Sequence, residues 1–383
     1  MPLRFHWSLS QVGDKLRRTK ATTEMAGLLS LERQVEFCLR AEECGIDSLL
    51  MAFGFTRPEP MTLSAALGMK TQRIKFMVAA RPGVLSPTLF VQQVNTVSAL
   101  TGGRISINIV TGHTPQELGY YGDFLNHEER YERTDEFLTV CRALWSRNGE
   151  VNFSGKYYKI ESGRLNTPFV SPDRRAPEIF LGGNSELAEQ LATKHADCLW
   201  RFADTPENLR PHVAPLVEKG IEVGLLVSIL ARPTREQALF DADAMIEVLR
   251  GQSRQPGKDF AEKTDSVAFK STLALAEANE SEWLTPYLWT GAIPYLGAPA
   301  IALVGGPVEI TNAIMEYRSI GISQFLFMGW PDLEEMTFFG REILPLIRRM
   351  EVRGSSPTRG PQRGSPAGVE AVREGAKNNS AAA

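Results

Sequence analysis

Residues 178–202 read EIFLGGNSELAEQLATKHADCLWRF, and this stretch decides the fold class. Glu178–Leu181 is a short apolar run that suits a strand covered on both faces. It passes into Gly182-Gly183-Asn184-Ser185. Glu186–His195 then has the pattern of a helix, and Asp197–Phe202 reads as a strand again. Strand, helix and strand in immediate succession imply a parallel sheet. The glycine turn also bears on chemistry. Free backbone N–H groups at a helix start, flanked by Asn and Ser side chains, form an anion site suited to a phosphate. The plainer reading is that Asn184 or Ser185 only caps the helix.

The same alternation continues in both directions. Upstream, Arg4–Leu9, Asp47–Phe53, Ile74–Ala80 and Arg104–Val110 read as strands; downstream, Glu222–Ala231 and Gln324–Met328 do. Helices are predicted at Leu28–Cys44, Pro60–Met69, Pro87–Leu100, Asn126–Trp145, Pro206–Lys219, Thr234–Arg250, Val308–Ile320 and Glu334–Arg349. Asn126 is the expected N-cap of its helix, with acids in the first turn. Val151–Ile160 reads as a small hairpin around Ser154-Gly155. Eight strand-helix units predict an α/β fold of the (β/α)8 TIM-barrel type, where five or six would suggest a doubly wound sheet. Gly251 to about Ser281 is polar and weakly periodic. From Arg353 the chain is Gly, Pro, Ser and Ala with scattered charge, too poor in apolar residues to bury anything. The expected organisation is one barrel domain over 1–352, with an insertion at 251–298 after the seventh strand, and a disordered tail at 353–383.

Composition narrows the function. The chain has 383 residues, 43% hydrophobic and 23% charged, with a formal net charge of −3. That balance argues against nucleic-acid binding and against a polybasic membrane surface. Cys38, Cys44, Cys141 and Cys198 show no metal-type spacing and read as reduced, buried thiols of a cytoplasmic protein. The start, MPLRFHWSLS, lacks the pattern of a signal peptide, and no apolar run is long enough to span a membrane. The histidines form no metal-binding pair, so no metal site is expected.

In a barrel of this type, chemistry sits at the C-terminal ends of the strands. Asn108-Ile109-Val110-Thr111-Gly112-His113 puts amide, hydroxyl and imidazole groups at one such end. Arg57, Arg81 and Arg201 fall near others, where each, taken singly, reads more readily as a surface or ion-paired residue. His6 could lie on either face of the first strand, as a satisfied core or rim histidine or as a ligand, and His127 and Arg130 sit early in a helix, where a merely solvated position is the plain reading.

Several segments carry a family resemblance. They are Trp7-Ser8-Leu9 with Gly13-Asp14, RIKFMVAARPGVLSPT at 73–88, TGGRISINIVTGHTPQEL at 101–118, FLNHEERYERTDEF at 124–137, FLGGNSELAEQLA at 180–192, LVGGPVEI at 303–310 and GWPDLEEM at 329–336. Together, over residues 3–350, they resemble the bacterial luciferase-like flavin monooxygenases, the alkanesulfonate monooxygenases in particular. The resemblance implies a TIM-barrel enzyme that uses reduced FMN from a separate NAD(P)H-dependent flavin reductase. With O2 as co-substrate, it puts one oxygen atom into an organic substrate through a flavin peroxide. It also implies a homodimer or homotetramer. On this likeness Asn108 and Thr111 match residues near the flavin ring. Tyr131 matches a phosphate-binding tyrosine, and Gly183, Asn184 and Ser185 match the phosphate loop.

The substrate positions depart from the sulfonate enzymes. Leu226 and Ser228 stand where those enzymes carry an arginine and a histidine, Leu296 replaces a loop arginine, and Trp330 replaces a tyrosine. Arg57 matches a cysteine and Val12 a histidine, while Trp7 persists. A sulfonate is a fixed anion and needs cations or donors around it. Their loss predicts a neutral or weakly charged substrate. Arg57 and Trp7 are candidate catalytic residues. His113, where the sulfonate enzymes have a small polar residue, is a candidate acid or base, with a supporting or surface histidine as the alternative. The insertion is expected to act as a lid over the reduced flavin. A sulfite-releasing sulfonate enzyme, a deazaflavin-dependent oxidoreductase and a silent flavin-binding protein are the competing readings.

Overall fold

The computed structural model describes residues 2–9, 30–55, 57–146, 149–251, 255–279 and 281–354. Eight parallel strands close into a ring: β1 (Arg4–Ser8), β2 (Ser48–Met51), β3 (Lys75–Ala80), β4 (Ile105–Ile109), β7 (Ile179–Gly182), β8 (Cys198–Phe202), β9 (Glu222–Ala231) and β12 (Ile322–Gly329). The seam is made by β9, which pairs with both β8 and β12. The eight expected strands are these eight, and the fold is the TIM barrel that they imply. The small hairpin is β5 (Val151–Ser154) with β6 (Lys159–Gly163), and it lies outside the ring.

Inside the ring the register stacks side chains in layers. Phe180 lies flat against Trp200 at 5.5 Å, and His6 meets both rings edge-on at 5.8 and 5.5 Å. Trp200 occupies the space that Gly224 leaves free: a Cβ there would come within 2.1 Å of the indole. His6 therefore points into the barrel. Its Nδ1 meets Ser48 Oγ at 2.6 Å and its Nε2 meets Gln324 Oε1 at 2.8 Å. Gln324 Nε2 in turn donates to Glu222. Because the Gln324 carbonyl faces Nε2, that nitrogen carries the proton and the Ser48 hydroxyl donates to Nδ1. Burial holds the imidazole neutral, with its pKa pushed down to about 3. This polar floor closes the barrel from below and leaves the upper end for ligand.

The helix starts follow from the sequence. Ser86 caps Pro87–Thr101, Thr205 caps Pro206–Glu218 and Thr234 caps Arg235–Arg250, each through a side-chain oxygen. Asn126 Oδ1 accepts from Glu129 N–H, and Glu129 accepts from Asn126 N–H, which completes a capping box before His127–Ser146. All four cysteines are buried and free.

Four features differ from expectation. The polar stretch after residue 251 contains two helices, Pro256–Lys263 and Val267–Glu277. A short helix, Pro115–Tyr120, follows β4. The strand β11 (Ala302–Gly305) pairs with the far end of β9, and β10 (Leu288–Trp289) pairs antiparallel with β11. The last helix is three pieces, Asp332–Phe338, a π turn at Phe339–Ile343, and Leu344–Gly354. It runs past the expected tail boundary at Arg353; the rest of the tail, like Val12, Gly13 and Asp14, lies outside the described residues. No helix among the described residues is long and apolar enough to cross a membrane.

Candidate active site

A cavity of about 300 Å³ opens at the C-terminal ends of the strands. Its floor is Leu50, Leu226 and Leu326. Asn108 and the loop Val110–His113 form one wall, Gly182–Ser185 and Trp200–Phe202 the next, and Asp265–Phe269 of the insertion the roof. Tyr131 and His127 close the side.

The anion cradle stands on β7 and the helix that follows. Ser185 is the N-cap, its Oγ accepting from Ala188 N–H at 3.2 Å. The same Oγ lies 3.5 Å from the Tyr131 hydroxyl. The capping and anion-site readings of this turn are therefore compatible, since the capping hydroxyl also borders the cavity. Gly183 is required sterically: a Cβ there would fall 2.6 Å from Ala188 Cβ and 3.6 Å from the Tyr131 oxygen, filling the cradle.

Unpaired polar atoms mark the ligand's place. Asn108 Oδ1, Asn184 Oδ1, Trp200 Nε1 and Arg201 Nε are buried without a hydrogen-bond partner among the described residues. Buried polar atoms normally have partners, so four of them around one cavity call for a ligand with its own donors and acceptors. The surrounding walls, Phe53, Phe202, Val267 and Phe269 among them, are apolar. A planar ring with an amide-like edge and an anionic tail fits this set.

His113 sits under the insertion. Its ring lies 5.6 Å from Phe260 and 5.1 Å from Phe269, and its Nδ1 meets Thr114 Oγ1 at 3.0 Å. Burial lowers its pKa, Glu117 opposing, so the ring is neutral at pH 7. Its carbonyl accepts from Thr264 Oγ1 at 2.5 Å and from Asp265 N–H at 2.9 Å. Buried Arg130 donates to Leu125 O at 2.8 Å and forms an ion pair with Asp265. The insertion is thus tied to the barrel through the residues that line the cavity.

The structure brings Asn108, Thr111, His113, Tyr131, Gly183, Asn184, Ser185 and Leu226 into the lining of one cavity. Five other expected site residues lie elsewhere. Trp7 points out of the barrel, because its neighbour His6 points in; it packs on Phe327 and Phe339 and donates its indole N–H to Asp332 at 3.2 Å. Ser228 is fully buried and donates to Pro299 O at 2.7 Å, because β9 outruns β8 there and pairs with β11 instead. Leu296 and Trp330 belong to a satellite core with Trp289 and Leu230. Arg57 lies on the turn after β2, its N–H donating to Gly54 O, and is not among the residues that line the cavity. Arg81 also stays outside the wall, bound to Glu117 at 2.8 Å with its guanidinium over the ring of Phe53. Residues missed by sequence reasoning are Asp265 and Phe269, for which no motif gives a signal, and His127, whose ring lies 5.0 Å from Tyr131.

Known proteins share this frame. The EDTA monooxygenase EmoA from Chelativorans sp. BNC1 is 19% identical, with a TM-score of 0.75 over 92% of this chain and 95% of that one. DmoA from Hyphomicrobium sulfonivorans is 18% identical, with a TM-score of 0.73 over 92% of this chain and 89% of that one. The riboflavin lyase RcaE, solved with modified FMN and riboflavin, is 18% identical, with a TM-score of 0.72 over 92% of each chain. At such identities these likenesses concern the fold. Residues 3–324 match the family described as luciferase-like monooxygenase, a span that includes most of the barrel and the residues that line the cavity up to Pro299, and the chain belongs to this family of flavin-dependent enzymes.

Proposed function

We propose that the protein is the oxygenase of a two-component system: it takes reduced FMN from a separate NAD(P)H-dependent reductase and, with O2, oxygenates a neutral or weakly charged organic compound. The observation that carries this reading is the continuity of one cavity from the Ser185–Tyr131 cradle to the unpaired Asn108 Oδ1 and Trp200 Nε1. Phosphate would sit on the helix start at Ser185, with Gly183 leaving it room. Asn184 and Asn108 would bond the sugar-alcohol chain and the amide edge of the ring. Bound there, the flavin would supply the redox chemistry that activates dioxygen.

The protein's own tasks are positioning, water exclusion and proton handling. Leu50, Leu226 and Leu326 keep the floor dry, and the insertion covers the top. His113, held neutral with Nδ1 engaged by Thr114, would take or return a proton at Nε2. The charges around the cavity support a neutral substrate. Arg201 is paired with Glu189, and Asp265 with Arg130. Beyond Arg201, which stands at the phosphate end, no lysine or arginine among the described residues lines the cavity to receive a sulfonate head group.

The test is rapid mixing of the protein and reduced FMN with O2, together with 18O2 labelling of neutral candidate substrates. Flavin reoxidation altered by the protein, with label in the product, is expected. Reoxidation identical to that of free flavin, with no flavin binding, would overturn the proposal. Sulfite release from an alkanesulfonate would overturn the neutral-substrate part.

A further inference from the structure

We infer that Arg201 is the cation of the anion cradle, and that it makes this chain select FMN over riboflavin. The inference rests on the flavin reading above.

Register places the residue. Gly182 pairs with Trp200, and Gly183 N–H donates to Trp200 O at 3.1 Å, so Arg201 stands beside Gly183. Side chains alternate along a strand. Trp200 points into the barrel against Phe180, so Arg201 points to the helix side, the side on which a Cβ of Gly183 would strike Ala188. Its Nη1 lies 2.7 Å from Glu189 Oε1, in the opening turns of the helix capped by Ser185. Arg201, the helix start and the Ser185 and Tyr131 hydroxyls thus line one end of the same cavity.

Arg201 is 4% exposed, and its Nε is buried with no partner among the described residues. A buried guanidinium with an unfilled donor is costly. Glu189 occupies only part of the fork and is itself 31% exposed; His212 lies 3.9 Å from the same carboxylate. Five donors allow one guanidinium to hold Glu189 and a phosphate oxygen together. Glu189 then acts as a resting counter-charge that keeps the cation tolerable when no phosphate is bound, at the expense of some repulsion when one is.

The test compares FMN with riboflavin, oxidised and anaerobically reduced, by quenching of tryptophan fluorescence in the full chain. Arg201→Met is expected to weaken FMN binding by roughly 10- to 100-fold, the worth of a charge-assisted hydrogen bond to phosphate, and to leave riboflavin binding unchanged. Its FMN affinity should also depend less on salt. Glu189→Gln should shift the FMN-to-riboflavin preference the other way, by a few fold. An equal loss of both ligands in Arg201→Met, or an unchanged FMN affinity, would overturn the inference while the flavin reading stands. If Arg201→Met does not fold, an unchanged preference in Glu189→Gln overturns it. A wild-type chain that binds neither flavin removes both the inference and the reading beneath it.

Discussion

Asp265→Asn should loosen the insertion without disturbing the barrel. Asp265 contributes an ion pair to Arg130 and a backbone hydrogen bond to His113 O, and only the first is touched by the substitution. Breaking a fully buried pair costs about 3–5 kcal/mol. Here Arg130 is buried but the Asp265 side chain is 28% exposed, and asparagine keeps a hydrogen-bonding oxygen. The Arg130–Leu125 bond and the Phe260–Phe269–His113 ring contacts also remain. The loss is therefore about 1–2 kcal/mol, which multiplies the open population by roughly 5 to 30. Limited proteolysis under native conditions reads that population when reclosing is faster than cleavage. Cutting between residues 251 and 298 should speed up by that factor, cutting elsewhere should not, and FMN should slow it in both proteins. A variant cleaved at the wild-type rate would refute the assignment of Asp265 as the tether. Wild-type cleavage that ignores FMN would refute the lid.

Three further outcomes follow from the geometry. Gly183→Ala places a Cβ 2.6 Å from Ala188; melting should fall by an amount equivalent to about 1–3 kcal/mol, and the stabilisation by FMN seen for the wild type should vanish in the same melting assay. His113→Phe preserves the ring packing with Phe260 and Phe269 but carries no proton; turnover should drop about 10²–10⁴-fold at unchanged flavin affinity. Wild-type turnover should fall as pH drops below the depressed pKa of His113, and an unchanged rate in the variant would remove its proton role. His6, neutral with a pKa of about 3, stabilises the fold above its unfolded value near 6.5; that stability, of order a few kcal/mol, drains away as pH falls from there toward 3. Chemical denaturation of His6→Gln should show a shallower loss between pH 6.5 and 4, and a slope equal to the wild type's would count against the barrel-floor network.

How far the sequence discloses this molecule depends on the range of the interaction. The barrel is legible because each strand carries its own signal: Glu222–Ala231 is apolar apart from Glu222 and Ser228, and the structure places β9 at those same residues. β11 is not legible, since Ala302–Gly305 runs into Gly306-Pro307 and gains strand identity only by pairing with Ser228–Ala231. The insertion helices hide for a related reason. Val267–Glu277 buries Ala268, Thr272 and Leu273, a narrow face that covers the cavity mouth rather than the barrel wall. The site divides along the same line. Strand-end position and the helix start at Ser185 are local, so the placement of Asn108, Thr111, Gly183 and Asn184 on the cavity lining is readable in the sequence. Parity is also local, but it needs a reference: once His6 points inward, Trp7 points outward, and a one-residue shift exchanges ligand wall for outer core. Ser228, Leu296 and Trp330 lie off the cavity lining because pairwise matching supposes that β9 still faces the cavity after residue 227, whereas β11 and the satellite core have already covered it. Asp265 shows the limit most clearly. Its place in the roof depends on Arg130, 135 residues earlier, and on the backbone carbonyl of His113, so only the folded chain reveals that the insertion is tethered to the main chain of the residue whose imidazole lines the cavity.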